Sequence, residues 1–194
     1  LSHFIGAISG GSLYRRASFL LDHLGKQIFP EFVRIYEQPL LPRAIGSRAY
    51  DSEGVVTDSS DIVVGGILER YVLSSYSACR LGLKTTGNAG GIHNLTINGG
   101  DRDLNGLITD MGKGLVVTEL IGFGVNLVTG DYSRGAAGFW VENGEIQFPV
   151  EEVTIAGNLK EMFQSILAIG SDIDTKQNIR SGSILMDSLA IAGQ

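Results

Sequence analysis

The chain has 194 residues, 43% hydrophobic and 19% charged, and 15 Lys and Arg against 21 Asp and Glu give a net charge of −6. A chain of this length buries about 70% of its unfolded surface and needs no disulfide or metal to fold. Cys79 is the only cysteine, which excludes a disulfide framework or Cys-rich zinc module and fits a reducing cytoplasm. No apolar run reaches the roughly 18 residues of a membrane span, no secretory signal is recognisable, and an acidic total without a Lys/Arg cluster argues against nucleic acid.

Glycine is the compositional oddity, at 27 residues, about twice the usual ~7%. With only 4 Pro and no repetitive tract, it reads as tight turns between strands. Residues 1–8 are apolar from the start and lead to Gly10-Gly11. Ser12 is expected to cap a second helix carrying Phe19, Leu20, Leu24 and Ile28, closed by Pro30. Residues 32–37 alternate as a strand does. Gly65-Gly66 between two apolar runs signals a hairpin. Residues 74–81 are expected to be a short helix, and the run Gly87-Asn88-Ala89-Gly90-Gly91 to lead into a strand over 92–97. Asp103 caps a helix carrying Leu104, Leu107, Ile108 and Met111, ended by Gly112 and Gly114.

Beyond it the pattern predicts strands over 115–120, 125–129, 136–141 and 145–150, with 153–155 continuing past Pro149. Asn143-Gly144 supplies both positive-φ residues of a type I′ turn. Asn158 is expected to cap a helix through Met162, Phe163, Ile166 and Leu167, and residues 184–191 to form the last strand. Hairpins outnumber βαβ alternation, so the expected fold is α+β, a largely antiparallel, hairpin-rich sheet with a few flanking helices.

Candidate chemistry is sparse. The three histidines, His3, His23 and His93, are never four residues apart, so a helical zinc pair is absent. His93 follows the glycine run and adjoins Asn94, where backbone and side chains can meet a ligand. Gly130-Asp131-Tyr132-Ser133-Arg134-Gly135 lacks the Gly-x-Ser-x-Gly spacing of a nucleophile elbow, and Asp131 and Ser133 read first as turn residues. Neither glycine-rich stretch has the spacing of a phosphate loop. Phe139 and Trp140 are expected to supply core on one face.

Longer stretches carry more information: Gly90-Gly91-Ile92-His93-Asn94-Leu95, the decapeptide from Met111 to Leu120, the segment from Thr129 to Glu145, Ala156-Gly157-Asn158-Leu159-Lys160, and the closing Ile191-Ala192-Gly193-Gln194. In this order they resemble the TldD/PmbA metalloprotease family along the whole of residues 1–194. The resemblance implies the C-terminal domain of a longer protein whose N-terminal α/β portion is absent here, with a metal-helix region over 1–29 and a sheet-rich body over 30–194. It also implies a cytoplasmic, two-subunit enzyme that trims unfolded or extended peptides, including the leader of a gyrase-targeting microcin. The family label modulator of DNA gyrase reflects that connection rather than DNA binding.

In the family's TldD subunit a His-Glu-x-x-x-His helix and a downstream cysteine hold the metal. Set on this chain, the motif places Ser2 and Ala7 at the histidines and His3 at the glutamate, and no cysteine follows Cys79. The resemblance therefore implies a degenerate metal helix, no cofactor in this chain, and zinc in a TldD-like partner. Two rival readings stay open: a hydrolase using His93, Asp131 and Ser133, and a self-associating structural domain that forms a homodimer when alone.

Overall fold

The computed structural model describes residues 1–193. The chain runs α1 (Ser2–Ala7), α2 (Gly10–Tyr14), β1 (Ile35–Glu37), β2 (Ser60–Val64), β3 (Ile67–Leu68), α3 (Ser75–Leu81), β4 (Leu95–Ile97) and α4 (Leu104–Met111). It continues β5 (Gly114–Ile121), β6 (Asp131–Glu142), β7 (Glu145–Asn158), α5 (Leu159–Gln164), β8 (Ile166–Ile169), β9 (Ile179–Arg180), β10 (Ile184–Met186) and β11 (Ala190–Ala192). The strands form sheets in the orders β3-β2-β1-β4-β9, β10-β8 and β11-β7-β6-β5. All named pairings are antiparallel except β4 with β9, which bears out the α+β, mostly antiparallel expectation. Among the described residues no helix is long and apolar enough to cross a membrane.

The expected helix from Ser12 to Ile28 does not form. Ser9, not Ser12, caps α2, its hydroxyl accepting from the Ser12 N–H. Beyond Tyr14 the backbone turns left-handed at Arg16, Asp22 and Gly25, with φ of 57, 60 and 73°. The N–H groups of Phe19, Gly25 and Ile28 instead donate to the carbonyls of Leu127, Leu68 and Gly66, each at 2.8 Å. The apolar spacing came from burial: Phe19, Leu20 and Ile28 are buried, Leu24 is not.

Those residues join the core. Phe4 on α1 meets Phe29 edge-on at 5.2 Å between ring centroids, and Phe29 stacks on Phe163 of α5 at 4.9 Å. Aromatic pairs of this geometry add about 0.5–1.5 kcal/mol beyond area burial. Residues 1–29 thus share one hydrophobic core with β1, β2, β4 and α5.

Two hairpins form as the turn chemistry demands. Gly65 and Gly66 have φ of 58 and 77°, and Asn143 and Gly144 have φ of 54 and 75°; both pairs suit the type I′ turn. α4 starts at its expected cap, Asp103 accepting from the Gly106 N–H, and α3 forms within the expected span 74–81, capped by Ser74 in a reciprocal capping box.

Other boundaries need correction. The expected strand over 125–129 is a turn, tied by Asn126 N–H to the Asp131 carbonyl and Gly130 N–H to that of Asn126. The following strand starts at Asp131 rather than at 136. β7 runs through Pro149; β11 pairs only with residues 154–156 of β7, so no partner strand needs an N–H from Pro149 on that side. Glu152, at φ 56°, marks the bulge where the β6–β7 register shifts. Residues 166–169 leave α5 as β8 and pair with β10, and the expected last strand splits between two sheets where the Asp187 N–H turns to the Ser165 carbonyl. The strands expected over 32–37 and 92–97 keep only their last three residues.

Candidate functional site

The glycine run and His93 fold inward around one carboxylate. Glu37, the last residue of β1, is 1% exposed. Its Oε2 accepts from the Arg70 guanidinium at 2.5 Å and its Oε1 from the backbone N–H of His93 at 2.5 Å. Asn88 Nδ2 donates to both carboxylate oxygens, at 2.9 and 3.1 Å, while Asn88 Oδ1 accepts from Arg70 and from the Thr86 hydroxyl. A buried ion pair is tolerated only when its remaining hydrogen-bonding capacity is filled in this way. Burial lowers the Arg70 pKa, with Glu37 opposing the shift.

A second carboxylate braces the same loop. Burial alone would raise the Asp51 pKa, but the backbone N–H groups of Ala89, Val55 and Glu53 donate to it and hold it below its ordinary value. The His93 Nε2 lies 3.2 Å from the Gly87 carbonyl. Asn94 is fully buried, donating to the Gln38 carbonyl and Ser47 hydroxyl and accepting from the Gly46 N–H. His93 and Asn94 are thereby occupied in holding loops together. Sequence reasoning missed Glu37, Arg70 and Asp51; the only signal was three charged side chains in or beside apolar segments.

Asp131 and Ser133 lie elsewhere, at the start of β6. Asp131 accepts from the Thr129 hydroxyl at 2.5 Å and from Asn158 Nδ2 at 3.3 Å. The Ser133 N–H donates to the Gly124 carbonyl. No hydrogen bond joins either residue to His93, so the structure does not assemble these candidates into one nucleophilic site. Phe139 is 37% exposed and Trp140 only half-buried, correcting the expectation of core there. The indole N–H of Trp140 and the ammonium of Lys113 lower the Glu142 pKa.

On α1, Ser2 is exposed, Ala7 is wholly buried in the apolar core, and His3 sets its ring edge-on to Tyr132 at 6.0 Å. Burial, and with it the positive charge of Arg134, lowers the His3 pKa. A catalytic zinc takes three protein ligands drawn from imidazole, thiolate and carboxylate. A methyl group supplies no donor and a neutral hydroxyl a poor one, so Ser2 and Ala7 do not fit that ion. Among the described residues no group of three His, Cys, Asp or Glu has the geometry to hold a metal.

A larger opening lies between α4, β5 and β10. Leu107, Ile108 and Met111 of α4 face Leu115 and Leu120 of β5 and Met186 of β10 across an open apolar groove of about 510 Å³. Nothing in the spacing of these residues announced it.

Residues 1–193 match the family model described as the PmbA/TldA metallopeptidase C-terminal domain. The chain is 57% identical over 192 residues to Metalloprotease PmbA of Escherichia coli O157:H7, covering 99% of this chain and 43% of that protein. It therefore spans less than half of that relative's length. A crystal structure from Bacteroides thetaiotaomicron, of a protein whose given name includes modulator of DNA gyrase, superposes with TM-score 0.95 at 34% identity, over 100% of this chain and 44% of that one. The crystal structure of TldE from Thermococcus kodakarensis superposes with TM-score 0.85 at 27% identity, over 97% of this chain and 46% of the other. With the family model matched along the described length, the chain belongs to the PmbA/TldA metallopeptidase family.

Proposed function

We propose that this chain is the C-terminal domain of the non-catalytic subunit of a two-subunit, cytoplasmic peptide-degrading metalloprotease. A related TldD-like subunit supplies the zinc, the ligands and the general base, and this chain shapes the chamber that receives unfolded or extended peptide. Microcin leader trimming falls within that activity. The observation that carries the reading is the donor set of α1, where Ser2 and Ala7 stand at the ligand positions and Ala7 is closed into the apolar core. Losing two imidazoles, the base and the thiolate removes every group that would generate a zinc-bound hydroxide.

The rival hydrolase reading has less support, since His93 is buried with its ring Nε2 against the Gly87 carbonyl and no hydrogen bond joins it to Asp131 or Ser133. The test is cleavage of an unfolded peptide by the full-length protein, alone and mixed with a TldD-like subunit. The reading expects cleavage only in the mixture, abolished by a chelator; robust zinc-dependent cleavage by the lone protein would overturn it.

A further inference from the structure

The groove between α4, β5 and β10 has a cation at its rim. On β6, Tyr132, Arg134 and Ala136 share one face of the sheet, and Leu120 of β5 stands opposite Ala136. Tyr132 and Leu120 both line the groove, so Arg134 emerges between them. Its Nη2 donates to the Leu120 carbonyl at 3.0 Å. Its charge also reaches the Tyr132 phenol, whose pKa burial raises and Arg134 opposes.

This guanidinium lacks a counter-ion. Arg134 is only partly exposed and forms no ion pair among the described residues, whereas the partly buried Arg70 has Glu37. The Arg134 Nε is enclosed without a hydrogen-bond partner. A charge withdrawn from water without a partner is costly, and an anion brought from outside removes that cost. Two charged side chains line the groove itself, Lys113 and Asp187. Lys113 turns to Glu142 at 3.3 Å, and Asp187 makes no ion pair with Arg134. Most of the remaining lining is aliphatic, and the volume of about 510 Å³ lies within the ~300–1,000 Å³ of ligand pockets. Apolar walls with one uncompensated guanidinium suit a ligand that carries a carboxylate on an apolar body.

The backbone along the groove narrows the class further. β10 pairs with β8 on one side only, and its residues Ile184, Leu185 and Met186 line the groove. An extended peptide pairs its own backbone with such a free strand edge; an alkyl chain has no groups to do so.

We propose that this groove binds the C-terminal end of an extended peptide, with its last apolar side chains against Met111, Leu115 and Met186 and its terminal carboxylate on the Arg134 guanidinium. A charge-assisted hydrogen bond of this kind is roughly twice as strong as a neutral one. The inference deepens the reading that this chain receives peptide and rests on it, but it is independent of which subunit holds zinc.

Binding to the full-length protein, purified alone, tests it. The probe is a short alanine peptide ending in Leu-Leu, with a neutral coumarin at its N-terminus, followed by fluorescence anisotropy as the free acid and as the C-terminal amide. Wild type is expected to bind the acid at least about tenfold more tightly. Arg134→Met should bind acid and amide alike, and Arg134→Lys should keep part of the preference, since an ammonium supplies the charge without the planar fork. Leu120→Glu, at a residue 40% exposed, places a tethered carboxylate beside the guanidinium and should also abolish the preference, which keeps the test decisive if Arg134→Met does not fold. Decanoate shares the carboxylate and apolar body but has no backbone for β10, and it should compete at least about tenfold more weakly than the peptide acid. A wild type that binds acid no better than amide, or a preference that survives Arg134→Met, would overturn the proposal. Decanoate binding as tightly as the peptide would overturn peptide as the occupant. No cleavage enters the measurement: loss of the acid preference leaves the two-subunit reading standing, and zinc-dependent cleavage by the lone protein leaves the carboxylate site standing.

Discussion

The short motif around His93 and the two longest family-like motifs, in the sheet of β5, β6 and β7, are used by the fold in opposite ways. The first is turned inward: Asn88, His93 and Asn94 are all buried, and their polar atoms close on Glu37, Gly87, Gln38 and Ser47. The second is turned outward, with Val117, Leu120, Ile121, Phe139, Ile146 and Phe148 all exposed by more than a third. Family-like motifs thus mark a structural lock in one region and an exposed apolar surface in the other. The inward region should answer to substitution in stability, and the outward region in association.

The largest expected effect comes from opening the lock. Glu37→Ala leaves the Arg70 guanidinium without its carboxylate at a partly buried site, and breaking one side of such a pair costs about 3–5 kcal/mol. Urea denaturation should show that loss, and a double-mutant cycle with Arg70→Ala should show strong coupling. A small effect would break the comparison by making the loop dispensable. Phe163→Ala, which removes the ring stacked on Phe29, should cost a similar ~3–5 kcal/mol and shows that the loss is general to the core.

A smaller effect is expected in the outward sheet. A Cβ at Gly138 would collide with the Val116 carbonyl oxygen beside the β5 bulge. Gly138→Ala should therefore loosen β5 at about 1–3 kcal/mol, with amide exchange accelerating in β5 before the β1–β4 sheet. Asp51 supplies a pH-dependent test of the lock. Its folded pKa lies below its ordinary value of 3.8, so the unfolded chain protonates first as pH falls. Its stabilisation is present above about pH 4 and is lost as pH drops through the lower folded pKa. Asp51→Asn should flatten the acid limb of a stability–pH curve, and an unchanged slope would remove Asp51 from the lock. The least effect is expected for Ser133→Ala, within about 0.5 kcal/mol and without loss of any peptidase activity of the assembled enzyme.

Features coded locally were legible in the sequence. The Asn143-Gly144 and Gly65-Gly66 turns, the Asp103 cap and the short helix within 74–81 depend on residues adjacent in the chain, and they formed where expected. The failures share a different cause. Phe19, Leu20 and Ile28 have helical spacing yet sit in turns, because their backbone partners lie near residues 66–68 and 127. Residues 166–169 look like the end of a helix until β10 is available to pair with them. Among candidate site residues, His93 looked accessible because its backbone partner, Glu37, lies 56 positions away. The apolar groove was illegible for the same reason, since α4, β5 and β10 meet only in the folded chain.

Metal content tests the central claim most directly: that α1 with Ser2, His3 and Ala7 contributes shape rather than zinc chemistry. Zinc should be measured by mass spectrometry on the full-length protein purified alone, after saturation with zinc and removal of the loosely held ion. The account predicts far less than one zinc per chain. One tightly held zinc per chain, released by substitution in α1, would contradict it.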